Sequence, residues 1–270
     1  HIALGNGKLL VNIDQWMQVR DIYYPHVGQE NHLLGHAHRI GIFDGSLSWI
    51  NGNEWKRSLG YRKDTLVSEC VAERGDVAIT VNDCVHCDET VFLKKVTVQN
   101  KTPHDKEYTL FFHHDFHLYG DGIGDTAGYE PTRNVVFHYK RERYFLINVS
   151  KGGTNPTPDI FEYSIGSGDA DTYHDAEDGR LDKKPIEQGE VDSIISIRLK
   201  VPSGKSLSFY YWIACGKQFS DVYALNDKVL SNLKHSLSKL KCAGEVGLKN
   251  TNKILLIYQN QSLTCTSDPC

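Results

Sequence analysis

Two histidines and an aspartate at alternate positions stand out in the segment FFHHDFHLYGDGIGDTAGYEP, Phe111 to Pro131. Read in period two, His113, Asp115 and His117 share one face of a strand with Phe111 and Tyr119. Tyr108, Leu110, Phe112, Phe116 and Leu118 take the opposite face, which only His114 interrupts. A strand rises about 3.3 Å per residue, so the polar groups are spaced roughly 6–7 Å apart. That spacing suits gripping a polar ligand or partner better than closing around a single ion. The loop that follows sets Asp121, Asp125, Tyr129 and Glu130 among Gly120, Gly122, Gly124 and Gly128. Polar chemistry at the mouth of a sheet is the first expectation.

The elements that must position these groups are mostly strands. Period two dominates from Lys8 to Cys215 and predicts strands at Thr65–Val71, Val77–Asp83, Thr90–Asn100, Glu107–Tyr119, Asn134–Tyr139 and Tyr144–Val149. Val191, Ile195, Ile197, Leu199 and Val201 share one strand face, as do Leu207, Phe209, Tyr211, Ile213 and Cys215. The tight Pro202-Ser203-Gly204-Lys205 connection between them reads as the turn of a β-hairpin. Many short antiparallel strands without intervening helices predict an all-β sandwich. The polar stretch from Lys151 to Glu190 reads as surface loops around a short strand near Phe161. The period changes once: Val222, Leu225, Val229, Leu233, Leu237 and Leu240 recur at helical spacing, predicting an amphipathic helix over Ser220–Lys241 with Ser220 as its N-cap.

Composition narrows the partners. With 270 residues the chain can bury a sizeable core, and 40% hydrophobic against 24% charged residues describes a soluble globular protein. A formal net charge of −4 gives no reason to expect nucleic acid or an anionic membrane. Apolar runs such as Ile254–Tyr258 are strand-sized, far short of the roughly 20 residues a membrane span needs. Seven scattered cysteines in a chain this long read most simply as reduced thiols, so a cytoplasmic location is expected.

Several motifs resemble one family in order and spacing. LGNGKLLVNID (Leu4–Asp14), MQVRDIYYPHVGQENH (Met17–His32) and HRIGIFDGSLSWI (His38–Ile50) resemble the opening of prokaryotic glucoamylase-type proteins, the archaeal and bacterial members of glycoside hydrolase family fifteen. YRKDTLV (Tyr61–Val67), VFLKKVTVQN (Val91–Asn100), HHDFHLYGDGIGDTAGYEP (His113–Pro131) and HYKRERYFL (His138–Leu146) continue the match. The resemblance implies an antiparallel β-supersandwich similar to galactose mutarotase over residues 1–217, with 218–241 as a linker helix. It also implies that the two catalytic glutamates belong to an (α/α)6 barrel absent from this chain, and that no metal or other cofactor is needed. Residues 242–270 are too few for such a barrel and read as a truncated or divergent tail.

The expected function is therefore a non-catalytic accessory domain of a glucoamylase-like α-glucoside hydrolase, packing on the barrel and helping to shape its pocket. Glycosidases need two carboxyl groups across the scissile bond. Asp115, Asp121, Asp125 and Glu130 could in principle supply such a pair, but turn-building and docking are the preferred roles, and no residue is assigned as catalytic. His113, Asp115, His117, Tyr119, Asp121, Asp125, Tyr129 and Glu130 are the candidates for sugar or domain contact. Trp49 and Trp55 are candidates for an aromatic platform that stacks on α-glucan or a small sugar, with core packing as the competing role. Val222, Leu225, Val229, Leu233 and Leu237 form the expected helix interface, whose apolar stripe invites self-association or packing on the chain's own sheet. The alternatives are a free-standing mutarotase-like epimerase or a carbohydrate-binding module. Cys84-x-x-Cys87 lacks the second CxxC of a zinc site and the βαβ setting of a redox pair.

Overall fold

A computed structural model describes residues 1–157, 159–168 and 171–235. The chain starts with a small antiparallel sheet of β1 (Ile2–Gly5), β2 (Leu10–Ile13) and β3 (Val19–Tyr23), followed by the hairpin β4 (Arg39–Phe43) and β5 (Leu47–Trp49). A meander of β6 (Lys56–Tyr61), β7 (Ser68–Arg74), β8 (Val77–Val85) and β9 (Val91–Asn100) comes next, and then β10 (Lys106–Asp115). The remaining elements are β11 (Asp125–Glu130), β12 (Val135–Lys140), β13 (Arg143–Ser150), β14 (Phe161–Ser167), α1 (Asp171–Asp175), β15 (Ile186–Gly189), β16 (Val191–Val201), β17 (Ser206–Gly216) and α2 (Phe219–His235). Two antiparallel sheets face each other: five strands in the order β14-β16-β10-β4-β5 and nine in the order β15-β11-β12-β13-β17-β9-β8-β7-β6. No helix among the described residues is long and apolar enough to cross a membrane.

Alternation along the strands builds the core. Tyr108, Leu110 and Phe112 of β10 and Ile195, Ile197 and Leu199 of β16 meet Phe92, Val96, Phe145, Ile147, Phe209 and Ile213 of the large sheet. The predicted hairpin of β16 and β17 does not form. β16 pairs with β10 and β14, whereas β17 pairs with β9 and β13, so the turn at Pro202–Lys205 arches from one sheet to the other. The turn itself is tight: the Lys205 N–H donates to Pro202 O at 3.0 Å, and Gly204 adopts φ +65°. An arch lets both apolar faces meet across the core, which a hairpin would turn to the same side.

The helix starts earlier than expected. Ser220 lies inside α2, and Asp221 in its first turn accepts from the Lys217 backbone N–H at 3.1 Å. Val222 and Val229 are buried, and Leu225 and Leu233 half-buried, against Trp212, Ala214 and Leu146 on the outer face of the large sheet. The apolar stripe is thus covered by the chain's own sheet. Asn226, also buried there, accepts from Asn148 Nδ2 at 2.8 Å and Trp212 Nε1 at 3.2 Å. Leu237, Leu240 and residues 242–270 lie outside the described residues.

Polar groups run through the sandwich interior. Lys94 Nζ sits 2.6 Å from Asp83 Oδ1, and Asp83 accepts from Ser68 Oγ at 2.8 Å, all three being buried. The Ser193 hydroxyl links His138 Nε2 at 2.7 Å to His114 Nδ1 at 3.2 Å, and His114 Nε2 meets the Tyr211 hydroxyl at 2.9 Å. Burial keeps these imidazoles neutral: it pushes His138 down to about 3, and His114 and His38 well below the ordinary histidine value. His32 is likewise pushed down to about 4 by burial.

Lys94→Met leaves the Asp83 carboxylate buried without its cation and is expected to cost about 3–5 kcal/mol in urea unfolding. The double variant Lys94→Met, Asp83→Leu should recover most of that loss. Acid should weaken the fold early. Below pH 6.5 the unfolded chain takes up protons at His32 and His138 that the folded chain refuses, so stability falls as pH drops toward about 4. Each such histidine adds a slope of about 1.4 kcal/mol per pH unit in that window. His138→Gln should make the measured pH dependence of unfolding shallower; an unchanged slope would contradict a neutral His138.

Candidate functional site

The strand that carries the candidate residues ends at Asp115, four residues before its predicted end, and a short 3-10 turn at Leu118–Gly120 follows. Tyr119 and Gly120 both take positive φ in this turn, +62° and +80°. The turn is tied to the segment between β3 and β4. The His117 N–H donates to His32 O at 2.8 Å, and the Tyr119 N–H donates to His32 Nδ1 at 3.2 Å. His32 in turn is anchored through Nε2 to Tyr24 O at 2.6 Å.

This early turn changes the spacing of the polar groups. His117 Nε2 comes within 3.2 Å of Asp115 Oδ1, a distance for charge attraction but without hydrogen-bond geometry. His36, from the β3–β4 segment, donates through Nδ1 to Asp115 Oδ2 at 3.1 Å. The His36 and His117 rings stack at 3.6 Å between centroids with 29° between planes. Burial alone would raise the Asp115 pKa, but its contacts with His117 and His36 outweigh that and hold it well below the usual carboxylate range. The Asp115 contact raises the His117 pKa against the opposing effect of burial.

Other candidates take structural posts. His113 is fully buried beneath Trp49 and Tyr173, and its Nε2 lies 3.0 Å from Asp192 Oδ2. The expected open face of β10 is therefore covered, because the segment expected to form surface loops folds α1, Ala176 and Leu181 over it. Asp125 is buried, accepts from the Leu118 N–H at 2.9 Å and lies 3.1 Å from Lys140 Nζ. Asp121 pairs with the same lysine from the exposed side. Burial works against the charge on Lys140, but Asp121 and Asp125 outweigh it and its pKa is raised. Asp121 and Asp125 are thus spent on holding the loop rather than set across a ligand.

Tyr129 and Glu130 lie at the far end of β11, about 13–17 Å along the strand from Asp125. Tyr129 stacks on Tyr163 at 3.7 Å and donates to Asn134, while Glu130 accepts from the N–H groups of Thr132 and Arg133 at 2.9 Å each. Neither joins the cluster around Asp115. Trp49 and Trp55 are buried: Trp49 stacks on Tyr173 at 4.3 Å, and Trp55 Nε1 donates to Ser48 Oγ at 2.8 Å. They offer no exposed stacking face for a sugar. Sequence reasoning missed His36, Lys140 and Asp192. The run His32, His36 and His38, three imidazoles within seven residues, was the available signal for the first.

Elsewhere, the ligating atoms of His86, Cys87 and Asp88 also lie within 4.8 Å of one another. His86 Nδ1 there already accepts the N–H groups of Asp88 and Glu89 at 3.1 and 3.2 Å. Cys84 is disulfide-bonded, which departs from the expectation that all the cysteines are reduced thiols, while Cys70 and Cys215 are free and buried.

No family model matches the chain. An uncharacterized glycosyl hydrolase of Methanocaldococcus jannaschii is 23% identical over 276 residues, an alignment covering 97% of this chain and 44% of that protein. The chain therefore spans less than half the length of this curated relative. A bacterial glucoamylase complexed with acarbose superposes with a TM-score of 0.67 at 13% identity, over 87% of this chain and 34% of the glucoamylase. A putative kojibiose phosphorylase from the human microbiome gives 0.50 at 10% identity, over 88% and 34% of the two chains. These two likenesses establish a shared fold. The chain is thus similar to part of an uncharacterized glycosyl hydrolase and shares its sandwich fold with a bacterial glucoamylase.

Proposed function

We propose that this chain is the accessory, non-catalytic sandwich of a glucoamylase-like α-glucoside hydrolase and docks on an (α/α)6 catalytic domain. The observation that carries this reading is the alignment itself: nearly all of the chain corresponds to less than half of a glycosyl hydrolase. The rim beside the Asp115 cluster is the docking face. Ile123 is 82% exposed and Leu34 54% exposed, and Leu34 packs against the position of Gly120 in the same turn. Large apolar side chains left in water beside charged groups favour a surface that is covered by a partner. The loop held by Lys140 would then border the pocket of the catalytic domain while contributing no acid or base to it.

A free-standing epimerase is the second reading, and it rests on Asp115 and His117, which stand at the rim as a carboxylate and an imidazole. His113, sealed beneath Tyr173, is withdrawn from it. Polarimetry of freshly dissolved α-glucose separates the two, since acceleration by the chain alone selects the epimerase.

The docking face has its own test. Leu34→Asp with Ile123→Asp should change the stability of this chain by no more than about 0.5 kcal/mol per site, because both side chains are exposed. The same pair in the full-length protein should lower its melting temperature and its hydrolytic activity on α-glucosides. Equal, small effects in both settings would remove the rim from the interface.

A further inference from the structure

We infer that His36, Asp115 and His117 form a binding site for a divalent transition-metal ion of the zinc type. Their ligating atoms all lie within 4.8 Å of one another. The Asp115 carboxylate sits 3.1 Å from His36 Nδ1 and 3.2 Å from His117 Nε2. Ligands bound tetrahedrally at about 2.0–2.1 Å are separated by about 3.3 Å, and each imidazole stands at about that separation from one carboxylate oxygen, His36 from Oδ2 and His117 from Oδ1. Two imidazoles and one carboxylate are a donor set suited to zinc, cobalt or nickel rather than to calcium or magnesium, which take oxygen ligands.

A second observation points to a ligand independently of the clustering. His117 is only 6% exposed, and its Nε2, turned toward Asp115, has no hydrogen-bond partner. Other buried imidazole nitrogens here, such as both of His38, also lack a partner, but that of His117 faces a carboxylate shared with a second imidazole. A metal ion accepts that lone pair. Closing on the ion requires the rings to splay at their nitrogen ends, and His36, with its side chain 41% exposed, is free to make that rotation. The same exposure leaves an entry path and room for water as a further ligand.

Surrounding residues support the site. His32 fixes the backbone of both ligand-bearing segments through its contacts with residues 117 and 119. Glu190 lies on the same side as His117: both border Gly122, where an added Cβ would stand 3.3 Å from Glu190 Cγ and 3.4 Å from His117 Nδ1. The ion would join the β3–β4 segment to the end of β10, across 79 residues of sequence. This inference does not depend on the accessory-domain reading.

The test is titration of the tag-free, chelator-treated chain with Zn2+ by calorimetry, and with Co2+ by visible absorption. One equivalent is expected to bind, with a tetrahedral Co2+ spectrum that Zn2+ abolishes, and to raise the melting temperature. His36→Ala removes an exposed ligand, so this variant should fold and yet bind at least about 100-fold more weakly, beyond what loss of a supporting residue costs. Asp115→Asn should behave in the same way. Cys87→Ser should leave binding intact. Absence of saturable binding, or binding that survives His36→Ala and Asp115→Asn, would overturn the assignment. Binding abolished by Cys87→Ser alone would move the metal to the His86–Asp88 cluster and overturn it equally.

Discussion

Strand β10 lies at the centre of the five-stranded sheet and is buried on both faces. Its Leu110, Phe112 and His114 meet the nine-stranded sheet, while Phe111 and His113 are roofed by Trp49, Tyr173 and Leu181. A strand enclosed in this way must satisfy every polar side chain inside the protein, because water reaches neither face. His113 therefore turns to Asp192, and His114 to Ser193 and Tyr211. Only where β10 ends can its polar residues act on anything outside the sandwich.

The same constraint governs the rest of the interior. A carboxylate facing the core at Asp83 is tolerable because Lys94 of the neighbouring strand and the hydroxyl of Ser68 meet it there. Histidine is admitted in its neutral form, with Ser193 serving two rings at once. On the outer face of the large sheet, Asn226 plays the same part for Asn148 and Trp212, so that α2 can seal an otherwise apolar surface. Polar pairing thus accompanies the second layer at Asp83, Ser193 and Asn226.

At the rim the logic reverses. Lys140 pairs with both Asp121 and Asp125 and holds the turn after β10, and His32 pins the turn from the other side. What remains at the rim is a carboxylate facing the nitrogens of two stacked imidazoles, half-exposed His36 and buried His117, with Leu34 and Ile123 exposed nearby. A rigid scaffold presenting a small polar cluster within an apolar border is suited to docking against another surface. The metal-like arrangement of the cluster is compatible with that role, since an ion would stiffen the same turn.

Local periodicity in the sequence determined which residues face the core in β8, β9, β10, β13 and β16, and where the one amphipathic helix begins its stripe. Side-chain direction in a strand or helix depends on near neighbours alone, so it is legible without knowing the fold. The ordered motifs likewise carried the sandwich class. Tertiary structure decided the rest. The turn at Pro202–Lys205 reads the same for a hairpin as for an arch, and only the partners of β16 and β17 distinguish them. The spacing of His113, Asp115 and His117 held only while the strand was assumed to continue uncovered; its end at Asp115 folded the third back, and the α1 segment buried the first. His36 reaches Asp115 from 79 residues away, and Trp49 is covered by Tyr173, more than 100 residues later. Such contacts depend on the path of the whole chain, which no local period encodes.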